Sequence, residues 1–272
     1  MSEKPVWTWD LILYLALTFG VSWSVIGAAI AFPDWFEKNF GPLTGTSPPF
    51  FVAVWAPNIA GLLVTLLRSG PTGLKDIFLR LIRVRVAPWV WIAAIGFYPI
   101  LMLIVQLIGR SLGKPMPELD EWTAGLAGLL AGTTLLLGPL GEELGWRGYM
   151  LPRLLESRTT LYAAFFVGFI WMIWHLPAFF FSGLPQASMM LPVFMISGMA
   201  LTVFITWIFV NARGSILVAG IIPHAAANTV PGEMDWIHSA VLVGSAIALI
   251  IITGPSLRGY GRDARVGESA RA

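Results

Sequence analysis

Long apolar runs separated by short polar connections dominate the chain. Eight of them, at roughly 11–32, 50–67, 88–111, 123–145, 160–182, 189–210, 215–232 and 237–254, approach the ~20 residues a helix needs to cross hydrocarbon. The short alternating segments of a transmembrane barrel are absent. The pattern predicts an all-α, polytopic transmembrane helical bundle of about eight spans. One domain fills residues 1–255, a polar tail follows at 256–272, and no soluble domain, strong repeat or low-complexity tract is visible. The first run offers "AAIA" at Ala29–Ala31 as a small-x-small cleavage site, and only Lys4 precedes it. Its apolar stretch of about 20 residues is longer than the 7–15 of a signal peptide, so it reads as a span.

Composition agrees, with 57% hydrophobic and 12% charged residues and a mean hydropathy of +0.76. A soluble domain carries about twice that share of charge. The charges that remain give an orientation. Arg68, Lys75, Arg80, Arg83 and Arg85 follow the second run, Arg147, Arg153 and Arg158 the fourth, and Arg213 the sixth. The tail adds Arg258, Arg262, Arg265 and Arg271, whereas the alternate connections hold Lys38 and Lys114 among several acids. Lys and Arg mark cytoplasmic loops, so both termini are expected in the cytoplasm. Trp7, Trp9, Trp35, Trp89, Trp91, Trp122 and Trp236 flank runs, as interfacial aromatics do. The short loops and Ala/Gly/Trp-rich composition point to a bacterial plasma membrane. The absence of cysteine excludes disulfides, thiolate metal sites and a cysteine nucleophile. No basic-aromatic array supports nucleic-acid binding, and nothing points to an oligomeric state.

Against this background "GPLGEELGWRGY" stands out, because ionisable groups beside hydrocarbon are expensive and mostly kept for function. Glu143 and Arg147 are four apart, in the favourable order for a helical ion pair. A plain interfacial salt bridge would account for them, but Glu142 has no such partner and shares a face with Trp146 and Tyr149. The second signal is "WMIWHLPAFF", with His175 inside the fifth run and Trp171 one turn earlier. The turn between runs four and five falls near 157–160, and Glu142 and His175 lie about 16 residues to either side of it, which puts them at one depth on antiparallel helices. Helix four then continues to about Leu155 and Glu142 is submerged. The third signal is "PHAAANTV": His224 and Asn228 project from one helical face, Pro223 opens the helix against the carbonyl of Ala219, and three alanines leave room for a neighbour or substrate. Each histidine read alone would be an ordinary polar contact within the bundle. His238, after Trp236 at the outer end of the last run, reads as interfacial, with Glu233 and Asp235 as loop neighbours of no assigned chemistry.

These stretches resemble the motifs of the CPBP family, the CAAX-type and bacteriocin-processing intramembrane endopeptidases also called Abi proteins. "EELGWR" is similar to its Glu-Glu-x-x-x-Arg motif, "WMIWH" to an aromatic four residues before histidine, and "HAAAN" to His-x-x-x-Asn. Tryptophan stands at 171 where the family commonly has phenylalanine. The motifs cover residues 142–228 in matching order and spacing. The resemblance implies a bundle of about eight spans with a site inside the membrane, hydrolysing a peptide bond of a peptide or lipidated protein.

The residues allow the chemistry to be assigned. A carboxylate in dry surroundings is a stronger base, and Glu142 takes that role, matching the family's first glutamate. His175 orients the water and relays its proton, and His224 and Asn228 offer two donors to the oxyanion. Glu143, Arg147 and Trp171 brace the constellation. No obligatory cofactor is expected. The competing arrangement is a His₂Glu zinc site from His175, His224 and Glu142, in keeping with the metalloprotease label the family often carries, although H-E-x-x-H is absent. Submerged Glu and His would also suit a proton or ion pathway in a transporter, and a non-catalytic bacteriocin-immunity protein is a third class.

Overall fold

A computed structural model describes residues 7–258. Lys4, Arg262, Arg265, Arg271 and most of the expected tail at 256–272 lie outside the described residues. Among these the secondary structure is helical, without strands: α1 (Trp9–Ala31), α2 (Pro33–Phe40), α3 (Pro48–Leu81), α4 (Pro88–Ser111), α5 (Leu119–Leu130), α6 (Thr133–Leu136), α7 (Pro139–Glu143), α8 (Leu151–Leu155), α9 (Thr160–Trp174), α10 (Leu191–Asn211), α11 (Ile222–Thr229) and α12 (Trp236–Thr253). Two π-helical stretches, Leu144–Met150 and Leu217–Ile221, join α7 to α8 and lead into α11.

The polytopic helical bundle is borne out, and the chain is an integral membrane protein. Its span count is lower than the apolar runs imply. Among the described residues six helices are long and apolar enough to cross a membrane, seven if Leu119–Leu130 and Thr133–Leu155, bent by 67° at their junction, form one span. The bend falls at Gly132, whose φ of 77° is left-handed and ends the helix. The expected span at 215–232 is instead a five-residue π turn followed by an eight-residue α11. Helix α3 overruns its expected end and breaks at Gly70, where φ is 64° and Pro71 follows, leaving a short helix that carries Lys75 and Arg80.

The helices are patterned for lipid, with apolar side chains outward and small or polar ones inward. Helix α1 buries Asp10, Tyr14, Thr18, Ser22, Ile26 and Ala29 along one stripe, while Ile12, Trp23 and Ile30 face out. Helix α3 answers with Ala53, Ala56, Ala60 and Gly61, which let backbones approach closely. The Ser22 hydroxyl donates to the Ala53 carbonyl at 2.7 Å and accepts from the Trp174 indole at 2.7 Å, tying α1, α3 and α9 together. At one end of the bundle, Asp10 accepts from Arg153 at 2.8 Å and pairs with Arg68 at 3.1 Å. At the other end Lys114 bridges Glu233 and Asp235. Partial burial of Asp235 opposes ionisation, but hydrogen bonds from Lys114 and the backbone outweigh it and hold the carboxyl below its usual range. Arg110, at the last turn of α4, is a third cation on that end beside Lys38 and Lys114.

A close helix contact carries the acidic motif. Asn58 on α3 donates to the Leu140 carbonyl at 2.5 Å and accepts from the Gly145 amide at 2.9 Å, so one amide side chain spans the α7–π junction. A Cβ on Gly145 would overlap the backbone carbonyl of Pro57, which no rotamer change can clear. Gly145→Ala should therefore cost the ~1–3 kcal/mol typical of overpacking, or more. Gly20→Ala, whose Cβ meets nothing within 4 Å, should leave stability level or slightly raised. Thermal melts of both variants in detergent read the difference, and equal melts would show that α3 is not held against the motif.

Candidate active site

The two adjacent glutamates point to different partners, and helix geometry is the reason. Both are buried, Glu142 at 4% exposure and Glu143 at 0%. Glu143 Oε1 accepts from Arg147 Nη1 at 2.8 Å and from His224 Nδ1 at 2.8 Å. Glu142 Oε2 accepts from the Trp171 indole at 2.7 Å and the Trp146 indole at 3.3 Å. The expected i, i+4 ion pair is thus present, but it sits wholly out of water rather than at an interface. The fourth run does stay helical to Leu155, through the π stretch, and Glu142 is buried within the bundle. The wider π turn shifts residues beyond 144 around the helix. Tyr149 leaves the face of Glu142, and its hydroxyl donates to Asp10 at 3.2 Å.

His175 is not inside a helix but caps the end of α9, because Pro177 forbids regular continuation. Its Nδ1 lies 2.8 Å from the Trp171 carbonyl. A carbonyl can only accept, so Nδ1 carries the proton and Nε2 keeps its lone pair. His224 is fixed the same way by Glu143, with Nε2 on the free side of the ring. Asn228 is exposed on the next turn. A Cβ on Gly138 would come 2.7 Å from Asn228 Nδ2 and 3.7 Å from His224 Nε2, so those two nitrogens converge where Gly138 has no side chain.

Glu142, His175, His224, Asn228 and Trp171 line one cavity of about 470 Å³. It reaches the surface past the exposed loop residues Thr46 and Pro185. Trp171 stands at its centre. Its N–H serves Glu142, its face carries the Arg147 guanidinium 4.8 Å from the ring centroid, and its edge meets the His224 ring at 5.0 Å. Phenylalanine could supply the face but not the hydrogen bond. Among the described residues no group of three His, Asp or Glu is arranged to hold a metal ion.

Two features lie beyond the expectations. Asn58, in "WAPNIAG", is a lone amide in an apolar run, a signal open to the same argument that singles out the acids. His238 does not face outward: it is 1% exposed, lines the cavity, and contacts Tyr98 and Ser197. Its neighbour Trp236 is exposed as expected, but the first turn of α12 directs residue 238 inward.

Residues 124–230 match the family model described as type II CAAX prenyl endopeptidase Rce1-like. A CAAX prenyl protease 2 of Methanococcus maripaludis is 32% identical over 130 residues, which cover 43% of this chain and 47% of that protein. The chain thus aligns with about half the length of the curated relative it matches. The matched region contains every motif residue described above.

Removing Arg147 should act on folding first. Arg147→Ala strands the Glu143 carboxylate in a dry interior, a loss of ~3–5 kcal/mol when one partner of a buried pair is deleted. Chemical denaturation in detergent should show that loss. A variant as stable as wild type would mean that His224 alone holds Glu143.

Proposed function

We propose that this chain, a member of the CPBP family over residues 124–230, is an intramembrane endopeptidase that hydrolyses peptide bonds with a glutamate-activated water. The observation that carries the reading is the meeting of Glu142, His175, His224 and Asn228 in one submerged cavity. Glu142 takes a proton from water as the hydroxide oxygen attacks the scissile carbonyl carbon, and the carbonyl electron pair moves onto its oxygen. His175 Nε2, free to accept, orients that water. Asn228 Nδ2–H and His224 Nε2–H stabilise the oxyanion. With Nδ1–H engaged by Glu143, donation from Nε2 uses His224 with both ring nitrogens protonated. Collapse of the intermediate expels the amine, which leaves with the proton held by Glu142.

Supporting residues keep these groups aimed. Glu143 fixes the His224 ring, Arg147 holds Glu143, and Trp171 anchors Glu142 and the backbone contact of His175. No step is routed through a metal. Glu142→Gln keeps size and much of the hydrogen bonding, so turnover should nearly vanish with folding intact. Asn228→Ala should lower turnover by roughly 10²–10³-fold, the loss expected for one oxyanion donor. Mass spectrometry of peptides cut by wild type but not by Glu142→Gln, with and without a strong zinc chelator, reads all of this. A dead Glu143→Gln beside an active Glu142→Gln would reverse the two carboxylates. Chelator inactivation restored by zinc would make the histidines ligands. If wild type cuts nothing, proton-coupled flux in liposomes separates the transporter from the immunity reading.

The substrate reading follows from orientation. With the Arg-rich connections in the cytoplasm of a bacterial plasma membrane, Thr46 and Pro185 put the cavity mouth on the opposite face. That favours an exported peptide or membrane protein over a prenylated cytoplasmic chain. Engineered cysteines in the 33–49 and 182–190 loops should then react with an impermeant maleimide on intact cells, while the 82–87 loop stays protected. The reverse pattern would return the mouth, and a lipidated substrate, to the cytoplasm.

A further inference from the structure

The wall of the cavity formed by α4, α10 and α12 carries a second polar group that the hydrolytic residues do not use. Tyr98, Ser197 and His238 all line it, at 4%, 1% and 1% exposure, among Phe194, Leu201 and Leu242. Tyr98 Oη lies 3.3 Å from His238 Nε2, and Ser197 Oγ lies 3.2 Å from His238 Nδ1. Ser197 Oγ is 2.8 Å from Ser239 Oγ, which donates to the Val193 carbonyl at 3.3 Å.

The proton directions in this chain are determined from its closed end. The Val193 carbonyl can only accept, so Ser239 spends its one hydroxyl proton there. Ser197 must then donate to Ser239, and His238 must donate from Nδ1 to Ser197. His238 Nε2 is left with a lone pair, which accepts from the Tyr98 hydroxyl. Every proton in the relay points away from the cavity. What remains at the open end is the Tyr98 oxygen with unused acceptor capacity. A carboxylate would find no donor here. A cation would need a counter-ion that these neutral groups do not supply. A neutral N–H matches.

We infer that Tyr98, oriented by His238 and Ser197, is an acceptor subsite for an amide N–H of the bound peptide. The inference rests on the peptidase reading and adds to it a specificity element that lines the same cavity from other helices than the one carrying Glu142. Tyr98 touches the ligand, and His238 is a positioning residue that acts through it. The alternative is that the network only joins three helices, as interhelical hydrogen bonds do. The two differ in whether Tyr98 is coupled to one atom of a ligand.

The test is a depsipeptide scan. Fluorescent apolar tetrapeptide amides, and versions with each backbone N–H replaced in turn by an ester oxygen, are titrated against wild type and Tyr98→Phe in detergent. Cleavage of the same peptides is followed separately. In wild type, one ester position should weaken binding about 5–10-fold, the value of one hydrogen bond. In Tyr98→Phe, parent affinity should fall by a similar factor and that same ester should cost nothing further. Equal ester effects in both proteins at every position would overturn the subsite, as would tight parent binding by Tyr98→Phe or no peptide binding by wild type. Cleavage without this coupling sinks the subsite alone, and coupling without cleavage sinks the hydrolase reading alone.

Discussion

The buried pair of Glu143 and Arg147 is the constraint on which the rest of the site depends. Two opposite charges taken wholly out of water are stable only with close geometry and further partners. Part of their lost solvation is replaced by groups that also shape the cavity, although Glu143 Oε2 and Arg147 Nε and Nη2 are buried without a hydrogen-bond partner. His224 meets Glu143, so the imidazole is fixed in direction. The face of Trp171 meets Arg147, so the indole is held where its N–H reaches Glu142. An ion pair that touches no substrate thereby positions one group from each of the three motifs.

The helix breaks serve the same end. A regular α-helix through 139–155 would keep Glu142, Trp146 and Tyr149 on adjoining faces. The π stretch lets Trp146 stay with Glu142 while Tyr149 turns to the Asp10 cluster, so one helix reaches both the cavity and the charged end of the bundle. The second π turn lies directly before Pro223. It ends where α11 begins, and α11 carries His224 one turn before Asn228. π turns of this kind concentrate at functional sites, and here both flank the acids and the imidazole that bond each other.

Much of this was legible from residue spacing. The equal distances of Glu142 and His175 from the 157–160 hairpin were enough to bring them to one cavity, because antiparallel helices share a fixed rise. The ion pair at 143 and 147 and the shared face of His224 and Asn228 follow from the same periodicity. What spacing could not carry was rotation and depth where the helix departs from regularity. Tyr149 lost its face to a π turn, His175 became a helix cap at Pro177, and the run at 215–232 shortened to a broken helix. The inward side of His238 was not legible, because an apolar run opening with "WIH" does not reveal which side of α12 meets the bundle. Only packing against Tyr98 and Ser197 decides that.

The glycines show how a site is opened in a tightly packed membrane interior. A side chain at Gly138 would press on the Asn228 amide, one at Gly141 on Trp55 and Val54, and one at Gly220 on the Glu143 carboxylate. None of the three has a left-handed φ, so backbone freedom is not why glycine stands there. Each is small because a functional or bracing group occupies the volume its Cβ would take. In a soluble enzyme a cleft is opened between loops and filled by water. In this bundle, whose walls must stay in contact to satisfy one another in lipid, space for a polar cavity is obtained by leaving side chains out. The Asn228 amide and the Glu143 carboxylate are among the groups that move into the gaps.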